Sequence, residues 1–138
     1  MGSSGEFTGD MIMYSWHDVP GLQKFGTYQG NGSTDGPFIE LGFRPAVILW
    51  KKTSEASDAS WMLQDSTREP FNDGNRTVLV PNTSDAEVTD AHPTDFLSNG
   101  FKLRTSGAAY NDSGETFIYA AWAEAPSINL YGAQSNAR

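Results

Sequence analysis

The apolar positions of this chain occur in short runs, and their spacing predicts β-strands. Fourteen glycines and seven prolines divide the 138 residues. No window long enough for a helix keeps apolar residues at positions i, i+3, i+4 and i+7 without a glycine or proline inside it. About eight strands are predicted. They fall in residues 11–19, 22–29, 37–41, 46–53, 61–65, 77–80, the hairpin 96–104 and 116–123.

Two of these segments, 46–50 and 116–123, are apolar on both faces, which is typical of strands covered on both sides of a sheet. Lys51-Lys52 predicts the exit of the first segment to solvent. Asn99-Gly100 separates two short runs at the spacing of a type I′ hairpin turn. Because no helices lie between the strands, the predicted fold class is all-β: an antiparallel two-sheet sandwich of jelly-roll or lectin-like type with long acidic loops. A closed barrel is the alternative.

A single domain is predicted, with a short segment on either side. The length is within the usual range for one hydrophobic core. Residues 1–10 are interpreted as an expression leader and linker, because 1–7 have the composition of a cloning-derived sequence. The β-sandwich domain is predicted at 11–126, and residues 127–138 are predicted to form a C-terminal tail that packs on it. Whether the domain is terminal in a longer parent protein stays open.

Charge and cysteine content exclude several classes of partner. The formal net charge is -8, which argues against nucleic acid, because binding to a phosphate backbone depends on clustered lysines and arginines. Without cysteine, neither a disulfide framework nor a thiolate metal site is available. No apolar run approaches the roughly 20 residues needed to cross a bilayer, so a soluble chain without membrane insertion is predicted.

The acidic residues concentrate between Glu55 and Asp95, a stretch in which residues 66–74 and 81–94 are predicted to form loops. A solvated polar face is one interpretation, and a cation site is the other. The calcium candidates are Asp85, Glu87 and Asp90, with a second cluster at Asn72, Asp73 and Asn75. No spacing matches an EF-hand. No cofactor is therefore predicted, and calcium is kept as an alternative.

Several side chains near turns and strand ends have the chemistry of a carbohydrate site. Such sites pair an exposed aromatic ring with planar polar groups that bind hydroxyls. Trp50 and Trp122 lie in the most apolar strands and are predicted to be core residues. Arg68 is predicted to pair with Asp65 and pin the first acidic loop to the sheet. The predicted ligand-binding residues are Tyr28, Trp61, Arg68, Phe71, Asn72, Asp73 and Tyr110.

Catalytic patterns are weak in this sequence. No serine lies in a Gly-x-Ser-x-Gly turn, and His17 and His92 have no evident orienting partner, so neither a catalytic triad nor a zinc site is predicted. Paired carboxylates could cleave a glycan only if they face each other across a groove. The candidates for such a pair are Asp65, Asp73, Asp95 and Glu124. The domain is predicted not to be an enzyme, with a glycan depolymerase as an alternative.

The order of motifs along the chain carries a resemblance to a known type of module. The motifs are Trp16–Gly21, Phe25–Gly32, Gly42–Ala46, Asp65–Asn72, Pro81–Glu87, Asp95–Lys102 and Tyr119–Pro126. From Tyr14 to Pro126 the chain resembles a poorly characterised module of bacteriophage tail-fibre and other virion-associated proteins, notably those of marine phages. The resemblance brings no assigned catalytic residues.

The resemblance implies a virion location, a commonly trimeric fibre as parent, and host attachment as the task. With the residues above, it predicts a non-catalytic receptor-binding module that recognises host-surface carbohydrate. Its expected partners are a bacterial surface glycan or receptor and other fibre subunits, in a homotrimer. The alternative of a different class is a structural module, at a fibre tip or as a capsid decoration, that makes protein contacts only.

Overall fold

Two antiparallel sheets packed face to face make up the computed structural model, which describes residues 12–54, 60–74, 76–89 and 94–124. The elements are β1 (Gln23–Gln29), β2 (Phe38–Glu40), β3 (Pro45–Lys52), β4 (Met62–Asp65), β5 (Thr94–Leu97), β6 (Gly100–Leu103), α1 (Ala108–Asn111) and β7 (Thr116–Ala123). The larger sheet has the order β1-β7-β3-β4, and the smaller sheet has the order β2-β6-β5. The all-β two-sheet sandwich predicted from the sequence is confirmed.

The core lies between the two sheets and is built by strand alternation. On β3 the side chains of Ile48 and Trp50 are fully buried, and Phe117 of β7 is buried beside them. From the smaller sheet, Phe96 and Phe101 enter the same cluster. Because successive side chains of a strand point to opposite faces, this inward set leaves a second set on the outer face of the larger sheet.

Two predicted strands are not strands in the structure. Residues 12–18 lie outside the β-ladders, and Val19 makes a single bridge to Gln23. The turn at Gly21, whose φ is 73°, folds Val19 back onto Gln23, so the preceding residues have no strand beside them. The segment predicted at 77–80 is reduced to isolated bridges, which join Val78 to Val88 and Leu79 to Leu63.

The hairpin near residue 100 is confirmed, but its turn is not Asn99-Gly100. Leu97 pairs with Gly100 across the strands, so Ser98 and Asn99 form the two-residue loop. Gly100 is instead the first residue of β6, where a Cβ atom would clash with the carbonyl oxygen of Ile39. Glycine is required there because β2 approaches too closely for any side chain.

The prediction that Lys51-Lys52 leaves the sheet for solvent is wrong for Lys52. Its side chain is only 4% exposed and its Nζ lies 2.8 Å from Asp112 Oδ2. Hydrogen bonding to Lys52 holds the pKa of the Asp112 carboxyl below its usual range. The flanking segments 1–10 and 127–138 lie outside the described residues, so the domain limits remain predictions.

Candidate functional site

The outer face of the larger sheet is largely apolar. Phe25 of β1, Ala120 of β7, Leu49 of β3 and Leu63 of β4 form one row across it, as the strand register places them side by side. The structure describes no second sheet over this face. The prediction that β3 and β7 are covered on both sides is therefore correct for the inner face only, since Ile118 of β7 is 36% exposed.

This face contains a concave site with a volume of about 260 Å³, formed mainly by aromatic side chains. Its lining residues are Trp16, Phe25, Leu49, Trp61, Ile118, Tyr119, Ala120 and Trp122. The volume is just below the roughly 300 Å³ at which typical small-molecule sites begin. The site, called the aromatic pocket below, therefore fits a single ring-sized group of a larger ligand.

One wall of the aromatic pocket comes from the segment before β1. Trp16 stacks on Phe25 with ring centroids 6.5 Å apart, and Phe25 meets Trp122 edge-on at 5.9 Å. The segment is anchored by two hydrogen bonds. The backbone N–H of Phe25 donates to Asp18 Oδ1, and Gln23 Nε2 donates to the carbonyl of His17, both at 2.8 Å. These bonds position Trp16 without a β-ladder.

The opposite wall is Trp61, just before β4. Its backbone N–H donates to Asn82 Oδ1 at 2.8 Å, which ties this tryptophan to the long loop that follows residue 80. On its neighbour strand, Lys51 places Nζ 5.8 Å from the centroid of the Trp61 ring. This distance is within the range of a cation–π interaction. The pocket thus has an aromatic interior and a cation at its rim.

Of the predicted ligand-binding residues, Trp61 alone lines the aromatic pocket, and two others are buried. Tyr28 points inward from β1, stacks on Phe117 at 4.9 Å, and donates its hydroxyl to the carbonyl of Tyr110. The expectation that Tyr28 and Tyr110 are exposed is wrong, because strand alternation and the packing of α1 turn both rings into the core. Burial raises the pKa of both phenols well above its ordinary value.

The remaining predicted residues, Arg68, Phe71, Asn72 and Asp73, lie on the loop 66–74. Arg68 pairs with Asp65 at 3.4 Å, as predicted, and also with Glu87 at 3.6 Å. Phe71 is 75% exposed and Asp73 is exposed. None of these four residues lines the aromatic pocket.

Asn72 has a structural place in this loop. Its Oδ1 accepts from the backbone N–H of Phe96, and its Nδ2 donates to the carbonyl of the same residue. Arg76 also donates to Asn72 Oδ1, at 2.8 Å. Asn72 therefore connects the loop 66–74 to β5 in the smaller sheet.

The calcium candidates do not converge in the part of the chain that the structure describes. Glu87 is engaged by Arg68, Asp85 is exposed, and Asp90 and Asn75 lie outside the described residues. Among the described residues, no group of three or more histidine and carboxylate side chains is placed to hold a metal ion. Of the second calcium cluster, the described residues are Asn72, whose side chain binds β5, and Asp73.

The carboxylates considered for glycan cleavage occupy separate positions. Asp65 ends β4 beside Arg68, Glu124 follows β7 and lies 2.9 Å from Arg44, and Asp95 is on the smaller sheet, 2.6 Å from Arg104. Each of these three is engaged by a different arginine. His17 is exposed before β1 rather than in a strand, and His92 lies outside the described residues.

Sequence reasoning missed Trp16, Phe25 and Ile118 as site residues and placed Trp122 in the core. Trp122 is in fact half-buried on the outer face. One signal was present in the sequence: a strand that is apolar on both faces in a two-layer sandwich must expose one apolar face. The residues of segment 116–123 that face away from the core therefore indicated where the site lies.

The fold and the pocket define the chain as an all-β sandwich domain with an aromatic surface site. It belongs to the family described as Domain of unknown function (DUF7483), whose model matches residues 1–126. No curated protein and no solved structure matches the chain. No helix in the described ranges has the length and apolar character needed to span a membrane.

Proposed function

We propose that this domain is a non-catalytic binding module of a phage tail-fibre-type protein, and that it recognises host-surface carbohydrate through the aromatic pocket. The observation that carries the proposal is the convergence of Trp16, Trp61 and Trp122 on one concave surface of the larger sheet. Sugar rings have apolar C–H faces that pack on such aromatic rings. The virion location and the fibre partners rest on the sequence resemblance.

The geometry supports binding of one sugar ring at a time. A ring that enters the aromatic pocket stacks its apolar face on Trp61 or Trp16 and leaves its hydroxyls directed to water and to the rim. Lys51 and Thr27, which flank Ile118 in the strand register, supply polar groups there. A chain of sugars then gains affinity from neighbouring contacts on the sheet surface.

A second candidate function is a structural module that makes protein contacts only. The observation that favours it is the almost entirely apolar lining of the aromatic pocket, which also suits an apolar side chain of another virion subunit. This candidate predicts binding to fibre or capsid subunits and none to glycans. A depolymerase receives less support, because Asp65, Asp95 and Glu124 are each paired with an arginine.

Removal of a pocket tryptophan tests the proposal. On an array of bacterial polysaccharides, the full chain is expected to bind at least one glycan, and Trp61→Ala is expected to weaken that binding by about 30-fold, in the range of a buried aromatic hot spot. Trp16→Ala is expected to weaken it by about tenfold, because Trp16 is 61% exposed and contributes one wall.

The matched control is Phe71→Ala, which removes an exposed aromatic ring on the loop 66–74 and is expected to leave glycan binding unchanged. Thermal unfolding of each variant checks that the fold is intact. If the chain binds no polysaccharide, the glycan proposal is contradicted, and the structural module that makes protein contacts only is the candidate function that stands. Loss of binding in Phe71→Ala with retention in Trp61→Ala would instead place the site on the loop.

A further inference from the structure

The rim of the aromatic pocket carries a cation whose position bears on the kind of sugar that the pocket takes. Lys51 lies on β3 in register with Ile118, a lining residue of the pocket. Its Nζ is 5.8 Å from the centroid of the Trp61 ring. A ligand ring that packs against Trp61 therefore lies close to a positive charge.

Lys51 differs from the other described cations in its partners. Every other lysine and arginine in the described ranges has an oxygen partner. Lys24 donates to the carbonyl of Glu40, and Arg76 donates to the carbonyls of Thr94 and Glu69. The others pair with carboxylates: Arg44 with Glu124, Lys52 with Asp112, Arg68 with Asp65 and Glu87, Lys102 with Asp35, and Arg104 with Asp95. Lys51 has no oxygen partner of this kind among the residues that the structure describes, and its register partner on β7 is the apolar Ile118.

We infer that the aromatic pocket selects acidic sugars, with the Lys51 ammonium binding the carboxylate of a uronic or sialic acid residue whose ring stacks on Trp61. This inference rests on the proposed function. A carboxylate on a sugar ring projects from the ring edge, so a ring that packs against Trp61 beside Lys51 can bring its carboxylate within reach of the ammonium, which lies over the indole. Such a charge-assisted hydrogen bond is stronger than one between neutral groups.

The net charge of -8 does not oppose this selection at physiological ionic strength. Interactions between exposed charges are screened beyond about 8 Å. The charges close to Lys51, rather than the net charge, therefore determine whether an acidic ligand is attracted there. The acidic side chain at the end of β4 on the same face, Asp65, is paired with Arg68. Binding is accordingly expected to weaken as salt is raised from 50 to 500 mM.

The test uses bacterial capsular polysaccharides that contain uronic or sialic acid, each in its native form and in a form whose carboxylates have been reduced to hydroxymethyl groups. The full-length chain is compared with Lys51→Gln, which removes the charge and keeps a polar side chain, and with Lys24→Gln as the matched control. The wild-type chain is expected to bind the native forms about tenfold more tightly than the reduced forms. Lys51→Gln is expected to abolish this preference, and Lys24→Gln to retain it.

Each other outcome decides between the two proposals. Equal binding of native and reduced polysaccharides by the wild-type chain overturns the acidic-sugar inference and leaves glycan recognition standing. The inference is also overturned if Lys51→Gln keeps the preference, or if Lys24→Gln loses it to the same extent, since the latter reports a general charge effect. Absence of binding to any native or reduced polysaccharide removes the proposed function itself.

Discussion

Replacement of Arg76 by alanine is expected to lower the free energy of unfolding by about 3–4 kcal/mol. Arg76 is 2% exposed. Its guanidinium donates to the carbonyls of Thr94 and Glu69 and to Asn72 Oδ1, and it lies 4.0 Å from the centroid of Phe96. Truncation removes these three hydrogen bonds, one of them to the carbonyl of the buried Thr94.

Equilibrium urea unfolding, followed by tryptophan fluorescence, measures this loss. Arg76→Lys keeps a charge but not the planar fork, and a loss of about 1–2 kcal/mol is expected for it. Arg104→Ala is the matched control. It removes an arginine that is paired with Asp95 at the surface, where an ion pair contributes less than about 1 kcal/mol. Equal losses for Arg76→Ala and Arg104→Ala would contradict this account of Arg76.

The second large effect is expected at Asn111, where Asn111→Ala lowers the free energy of unfolding by about 2–4 kcal/mol. Asn111 is fully buried at the end of α1. Its Nδ2 lies 2.8 Å from Asn31 Oδ1, the carbonyl of Ser33 and the carbonyl of Thr105, and its Oδ1 accepts from the backbone N–H of Asn31. One amide therefore connects the loop after β1 to the segment after β6.

Asn111→Asp separates hydrogen bonding from packing. The carboxylate keeps the volume but has no donor for the surrounding oxygens, so a loss at least as large as that of Asn111→Ala is expected at pH 7. In Asn111→Ala, which removes the acceptor, hydrogen exchange is expected to show lost protection at the amide of Asn31. Asn82→Ala, an exposed asparagine with partners of its own, is expected to lose less than about 1 kcal/mol. Unchanged protection of the Asn31 amide in Asn111→Ala would show that the network contributes little.

The sequence predicts well those elements whose signal is local. The bounds of β7 and, within a residue, of β3 follow from continuous apolar runs between turn residues, and the hairpin of β5 and β6 follows from spacing. Residues 12–18 show where a local apolar pattern fails to predict a strand. Their apolar residues have the pattern of a strand, but a strand needs a neighbouring strand to pair with. The turn at Gly21 brings only Val19, the residue after this segment, into a single bridge with Gln23.

The candidate site depends on register, which the sequence does not contain. Tyr28 and Trp61 both lie near strand ends, yet Tyr28 points into the core and Trp61 points to the outer face, because a shift of one residue exchanges the two faces of a strand. The contact of Trp16 with Phe25 and the hydrogen bonds of Asn111 across 80 positions to Asn31 arise from the tertiary fold. The chemistry of single residues does not predict such pairs.

The central claim is that the aromatic pocket is where this domain meets its ligand, and the indole N–H resonances of its tryptophans test it directly. The chain has four tryptophans. Trp16, Trp61 and Trp122 line the pocket, and Trp50 is fully buried between the sheets. In a ¹H–¹⁵N titration with an array-positive oligosaccharide, the account predicts shifts for the three pocket indoles and none for Trp50. A saturable shift elsewhere on the domain, with all three pocket indoles unmoved, would contradict it.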